Sequence, residues 1–240
     1  MRNRGAGETG PFLWETAMNR RLEALYRLLP GEGCGFIDVG TDHAQIPIRM
    51  AENGFPGNIL ASDIAEAPLR TAYRAACEHG VGDRIRFLCC DGLALCPPDA
   101  VDTILIAGMG GDTACGILDR AEWLFNGDYR LVLQPMTHAE VLRYWLVHNE
   151  FQITAEAIIA ESGHVYQMFC ASLGKAGRYT DAEYLTGKRD SVQLGDDRQL
   201  LLQWERARLQ KKLDGMKTAG QTDSPAFRFY DHILLELAES

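Results

Sequence analysis

At 240 residues and 26.7 kDa the chain can bury a full core, enough for one large domain with a small appendage. A formal net charge of -9 argues against a broad nucleic-acid surface and leaves a segregated basic patch as the electrostatic route to a polyanion. No apolar run approaches the roughly 20 residues of a membrane span, and the first residues lack the apolar stretch of a signal peptide, so a cytoplasmic protein without membrane attachment is expected.

Residues 2–10 read as a mobile end. From about residue 19 to 150, apolar runs of strand length alternate with amphipathic stretches of helix length, the pattern of a parallel sheet with crossover helices. Strands are expected near Gly35 to Val39, Asn58 to Asp63, Ile85 to Cys90, Val101 to Ala107 and Arg130 to Gln134. An open α/β sheet binds ligands outside the carboxyl ends of its strands, so Asp38, Asp63, Asp91, Gly108 and Gln134 are expected to converge.

The first strand runs into Phe36-Ile-Asp-Val-Gly-Thr-Asp-His-Ala44, a turn with one glycine and two carboxylates. A dinucleotide pyrophosphate needs bare backbone N–H groups, and Asp42 would repel it. A sulfonium and an ammonium would instead be attracted by Asp38 and Asp42, which points to S-adenosylmethionine and hence to methyl transfer. His43, beside this loop, reads either as a substrate contact or as a capping residue. Asp63 can accept both hydrogen bonds of a ribose diol, or can cap the next helix with Glu66 in a capping box. Asp91-Gly-Leu93 can meet an adenine edge or form a plain turn. Ala107-Gly-Met-Gly-Gly111 reads as a flexible loop that admits a flat ring, with Asp112 as a hydrogen-bond partner. That loop lacks the Asp/Asn-Pro-Pro-aromatic motif of exocyclic amino methylation.

After a helix around Ala139 to Asn149, Phe151 to Glu161 and Val165 to Leu173 read as a β-hairpin about Ser162-Gly-His164. Five parallel strands closed by such a hairpin make the seven-stranded, Rossmann-like α/β fold of class I methyltransferases, and a nicotinamide-binding domain does not end that way. Tyr166 on the last strand is a candidate for stacking on a base, whereas Tyr144 and Trp145 read as core. Beyond Gly174 two helices, Arg198 to Met216 and Pro225 to Leu237, carry apolar stripes (Leu202, Leu209, Leu213, Met216 and Phe227, Tyr230, Leu234, Leu237) that would pack as an antiparallel hairpin. Residues 1–177 are therefore expected to form the Rossmann-like domain, and 178–240 a small coiled-coil-like helical domain. Arg206, Arg208, Lys211 and Lys212 give the tail a local basic strip suited to phosphates. Seven cysteines without a C-x-x-C pair give neither a disulfide framework nor a zinc site, and no metal is expected.

These motifs resemble the bacterial tRNA (adenine-22-N1)-methyltransferases. The likeness rests on Asp38-Val-Gly-Thr-Asp-His-Ala-Gln-Ile-Pro47, Ala61-Ser-Asp-Ile64, Asp91-Gly-Leu93, Ile106-Ala-Gly-Met-Gly-Gly111 and Leu133-Gln-Pro135, and covers residues 15–175. The resemblance implies methyl transfer from S-adenosylmethionine to N1 of an adenine in the D-arm of tRNA, and a monomer is expected. It implies a cofactor site at Asp38, Gly40, Asp42, Asp63, Ile64, Asp91, Gly92, Ala107, Gly108 and Met109. Candidate catalytic contacts are Asp42, His43, Gly108, Met109, Gly110 and Tyr166. Two positions depart from the family: Ala67 stands where a glycine is usual, and Gln167 where a glutamate is usual. A methyltransferase for a small molecule or a protein, and a non-catalytic cofactor-binding tRNA module, are the competing expectations.

Overall fold

The structure, a computed structural model, describes residues 18–188 and 197–239, so the expected mobile end at 2–10 lies outside the described residues. In chain order the elements are α1 (Arg20–Leu28), β1 (Gly35–Val39), α2 (Gln45–Glu52), β2 (Asn58–Asp63), α3 (Glu66–Glu78), β3 (Ile85–Cys89), β4 (Thr103–Met109), α4 (Gly111–Asp119), β5 (Arg130–Pro135), α5 (Ala139–His148), β6 (Phe151–Glu161), β7 (His164–Leu173), α6 (Asp181–Thr186), α7 (Arg198–Thr218) and α8 (Pro225–Glu239). The seven strands form one sheet in the order β3-β2-β1-β4-β5-β7-β6. The first five run parallel, and β7 is antiparallel to both β5 and β6.

Every residue of β1 is buried, as expected for a central strand covered on both faces. Side-chain alternation divides the core: Ile37, Ile104 and Leu133 join one apolar layer with Leu118 and Leu142 of α4 and α5. Phe36, Leu105 and Val132 join the other, with Leu25 of α1, Ile48 of α2 and Ala72 of α3. Each fully buried Leu, Ile or Phe contributes roughly 1.5–3 kcal/mol, so these two layers hold the sheet.

The expected strands are present, with one informative shift. The fourth begins at Thr103 and runs on to Met109 because Gly108, at φ +83°, lets the backbone bulge and re-pair Met109 with Pro135. The supposed flexible loop is therefore a tight junction: β4 ends at Met109, Gly110 alone intervenes, and α4 starts at Gly111. A Cβ on Gly111 would run into the carbonyl oxygen of His138, which is why only glycine lets these two turns meet. The β6–β7 turn is built on Ser162 and Gly163, both left-handed at φ +51° and +78°, the geometry that matches a hairpin's twist.

The tail helices pair antiparallel, with Arg206 facing Leu237 and Lys212 facing Tyr230. Leu202 and Leu209 of α7 and Ile233 and Leu237 of α8 enclose a small core with Ala182 and Leu185 of α6. Helix α6 was not foreseen. It starts in a capping box, Thr180 Oγ1 accepting from the Glu183 N–H and the Glu183 carboxylate from the Thr180 N–H. It docks through Arg143 of α5, whose side chain is 1% exposed and which donates to the Glu156 carboxylate (3.0 and 2.9 Å), the Gln167 carbonyl (2.9 Å) and the Tyr184 carbonyl (2.6 Å). Among the described residues no helix is long and apolar enough to cross a membrane.

Candidate functional site

The carboxyl ends of β1, β4 and β5 open onto a cavity of about 300 Å³. Asp38, Gly40, Thr41, Asp42, His43, Ala107, Gly108 and Met136 line it, together with Arg21 and Leu25 of α1. Four larger hollows lie elsewhere: about 560 and 540 Å³ at the opposite, amino ends of the strands around Asn58 and Arg130, about 470 Å³ among α5–α8 around Tyr184, and about 450 Å³ between the β6–β7 turn and α7 around Trp204. An open α/β sheet places its ligands at the carboxyl ends, so position outweighs size.

Asp38, next to last in β1, is only 8% exposed. Its Oδ2 accepts from the Thr41 hydroxyl at 2.7 Å, and its Oδ1 has no partner among the described residues. Burial pushes its carboxyl up to about 6, the Thr41 bond opposing and nearby Asp63 adding to the shift. A buried carboxylate with a spare oxygen facing a cavity seeks a cation or a donor. The loop beyond is held by the Gly40 and Thr41 N–H groups, which donate to the Ser62 carbonyl at 2.8 and 3.0 Å. It then turns through left-handed Asp42 and Ala44, at φ +46° and +53°, a conformation that costs alanine more than aspartate. This turn lifts Asp42 and His43 to the cavity mouth, both mostly exposed, with His43 Nε2 3.6 Å from Asp42 Oδ2.

The remaining cofactor candidates form a shelf on the neighbouring strands. Asp63 Oδ1 accepts from the Ala65 N–H at 2.9 Å and Glu66 pairs with Arg70, so the alternative capping box does not form and Asp63 keeps its second oxygen. Ile64, beside it, is 72% exposed, a flat apolar surface at the end of β2. Gly92, at φ +56°, turns the chain after β3, and its carbonyl accepts from Ser62 Oγ. Asp91 is exposed and paired with Arg120 at 2.9 Å. Asp91, Asp63 and Asp38 thus follow one another along the carboxyl edge of the sheet in the order β3-β2-β1, while Asp63, Ile64, Asp91 and Gly92 lie outside the lining of the cavity at Asp38, as do Met109, Gly110 and Tyr166.

On the other side of Asp38, Met109 and Gly110 form the β4–α4 junction, and Asp112 is held by His138 Nδ1 at 2.6 Å instead of facing a ring. Gln134 is fully buried, its amide N–H donating to the Pro135 carbonyl and its oxygen accepting from Arg21 at 2.7 Å. The Arg21 guanidinium also lies over the Tyr166 ring, 5.6 Å from its centroid. Arg21 was missed in the sequence, since it stands 113 residues from Gln134 and in no motif. Gln167 faces Arg143 on the opposite side of β7 from Tyr166, so the departure at that position bears on the buried ion pair and has no acid–base role in the cavity.

In the tail, the Arg206 guanidinium is held by the Leu237 carbonyl near the carboxyl end of α8, a structural use of its charge. Arg208 pairs with Glu205, Lys212 lies 3.9 Å over the Tyr230 ring, and Lys211 is exposed. Three of the four candidate phosphate contacts therefore have protein partners. Among the described residues no cluster of three metal-ligating side chains forms.

A family model described as a methyltransferase domain matches residues 18–169, which take in the cavity and the sheet up to the middle of β7. A tRNA (adenine(22)-N(1))-methyltransferase of Bacillus subtilis (strain 168) is 31% identical over 160 residues, 67% of this chain and 67% of the relative. The chain belongs to this methyltransferase family. Among solved structures, the Bacillus subtilis M1A22 tRNA methyltransferase TrmK is 26% identical, with a TM-score of 0.72 over 92% of this chain and 94% of that one. A Streptococcus pneumoniae protein in complex with S-adenosyl-L-methionine is 27% identical, with a TM-score of 0.74 over 91% of this chain and 97% of that one. Coverage of this extent carries the family likeness past the sheet and into the C-terminal helices.

Proposed function

We propose that the protein transfers a methyl group from S-adenosylmethionine to N1 of adenine 22 in the D-arm of tRNA, acting as a cytoplasmic monomer. The observation that carries this reading is the buried Asp38 carboxylate, with one oxygen unpartnered, at the head of an acidic cavity in a chain of this family. Asp38 and the loop from Gly40 to Asp42 suit the cationic amino-acid end of the cofactor, Asp63 its ribose diol, and Ile64 with Gly92 its adenine. When bound, S-adenosylmethionine supplies an electrophilic methyl group on its sulfonium. The N1 lone pair is already a nucleophile, so the protein's task is in-line placement, with no strong base required. As the N–C bond forms and the C–S bond breaks, the electron pair stays on sulfur and positive charge passes to the adenine ring. Asp42, beside His43 at the mouth, would accept from the adenine amino group and offset that charge. Gly108, with no atom within 4 Å of the Cβ it lacks, leaves room for a base exposed from its helix.

The test is incubation of the purified protein with isotopically labelled S-adenosylmethionine and unmodified tRNA, followed by nucleoside digestion and mass spectrometry. Labelled 1-methyladenosine is expected. Absence of label, with both ligands bound, would favour a non-catalytic tRNA module.

Asp38 makes cofactor affinity depend on pH. Its folded carboxyl titrates near 6, above the ordinary 3.8, so the empty protein's stability from this group is present at low pH and is lost as pH rises from about 4 to about 6. A cationic ligand needs the ionised form. Affinity is therefore expected to fall about tenfold per pH unit below 6 and to level off above about 7, a slope that Asp38→Asn abolishes, as read by titration calorimetry.

For the tail, Lys211→Glu is expected to raise KM for tRNA about threefold at low salt, with kcat and cofactor affinity unchanged, because a peripheral phosphate contact positions without specifying. An unchanged KM would remove Lys211 from the tRNA surface.

A further inference from the structure

Arg21 differs from the other arginines around it. Arg20 pairs with Asp197, and Arg27 and Arg49 both pair with Glu23. Arg21 makes no ion pair among the described residues; its contacts are the neutral Gln134 oxygen at 2.7 Å and the face of Tyr166. It is half-buried, and it is the one arginine or lysine lining the cavity, whose other formal charges are Asp38 and Asp42. A guanidinium that is partly desolvated and held in place by neutral groups is poised for an oxyanion, which it binds in a fork of parallel N–H bonds.

Two oxyanions come to such a site, the carboxylate of the cofactor and a phosphodiester of the RNA. Position separates them. The acidic shelf lies on β3, β2 and β1, whereas Arg21 sits on the side chains of β5 and β7. Strands lie about 4.8 Å apart, which places β7 three spacings, roughly 14 Å, from β1. Arg21 lines the cavity with Asp38, and its two partners hold its guanidinium toward the β5–β7 side, the side open to an acceptor. Resting on the tRNA reading above, we infer that Arg21 binds a phosphodiester flanking the target adenosine, with Gln134 fixing its guanidinium and Tyr166 forming the wall against which the exposed nucleotide stacks. The anchor would hold the backbone while the base enters past Gly108, and it keeps a positive charge on the phosphate side, away from the ring that becomes cationic.

The experiment uses the full-length protein and tRNA, comparing wild type with Arg21→Gln, which removes the charge but still reaches Gln134. Arg21→Gln is expected to raise KM for tRNA about tenfold or more, the loss of one charged hydrogen-bond pair. It is also expected to flatten the dependence of log(kcat/KM) on log salt by about 0.7–0.9, the signature of one lost phosphate contact, with the cofactor Kd unchanged. A purely structural role for Arg21 would not alter that slope. In parallel, tRNAs carrying a neutral methylphosphonate 5′ or 3′ of the target adenosine are assayed; one of them should impair wild type and leave Arg21→Gln no worse, since the two changes remove the same contact. The inference is overturned by an unchanged salt slope, by additive effects at both phosphates, or by a weakened cofactor Kd that assigns Arg21 to the cofactor carboxylate. If Arg21→Gln does not fold, the methylphosphonates on wild type decide alone, and no loss at either position overturns it. Wild type that forms no 1-methyladenosine refutes the activity itself; wild-type turnover with an unaltered variant refutes only the role of Arg21.

Discussion

Replacing Asp42 with alanine is expected to lower kcat for tRNA methylation about 100-fold, the scale seen when one preorganised electrostatic group is removed from a reacting centre. Cofactor affinity should change far less, because Asp42 is mostly exposed until tRNA covers it and its field there is screened by water. Its influence on the adenine grows as the RNA excludes that water. Alanine at φ +46° adds backbone strain, so Asp42→Asn serves as the partner variant: asparagine tolerates the left-handed turn and keeps an accepting oxygen, but loses the charge. Asn should recover part of the loss. Full turnover in Asp42→Ala, with normal cofactor affinity, would show that charge at this position does not assist the transfer.

The largest effect on stability is expected at Arg143. Arg143→Ala leaves the Glu156 carboxylate in a site where its side chain is 2% exposed, and strips a donor from Gln167 and from the Tyr184 carbonyl. Breaking one partner of a buried pair costs about 3–5 kcal/mol, a large share of a domain's margin of roughly 5–15 kcal/mol. Urea unfolding should show the free energy of unfolding falling by that amount, through a lower midpoint at unchanged m. Adding Glu156→Gln should recover part of it, because a neutral amide loses less than a carboxylate when the buried guanidinium is removed. A loss below 1 kcal/mol would mean that water reaches Glu156 once the arginine is gone.

The residues that were legible in the sequence share a physical reason: their signals are local. Asp38, Asp63 and Asp91 follow apolar runs of strand length, and Ser162-Gly163 supplies the two left-handed residues that a hairpin needs, so the sheet and its acidic shelf could be read along the chain. The rest depends on partners distant in sequence. Arg21 meets Gln134 and Tyr166 only after the sheet has formed, Arg143 reaches α6 across 41 residues, and Arg206 spends its charge on α8, 31 residues away. The glycines from Gly108 to Gly111 suggest a flexible loop because glycine in sequence signals freedom; in the structure Gly108 makes a bulge and Gly111 a close backbone approach to His138. Asp63 kept its candidate role because Glu66 is drawn to Arg70 instead of back toward the strand.

The strand order has a consequence for how the chain is made. The last two strands are reversed in space relative to sequence: β6 is synthesised first, yet it lies at the outside edge, and β7 fills the gap beside β5. Until residue 173 has left the ribosome, β5 has no neighbour on that side, and its apolar Leu131, Val132 and Leu133 present an open row of backbone donors and acceptors. Such an edge pairs with whatever strand it meets first. A nascent chain stalled shortly before this point should be the species most prone to aggregate and most dependent on chaperones, and release of ten further residues should end both.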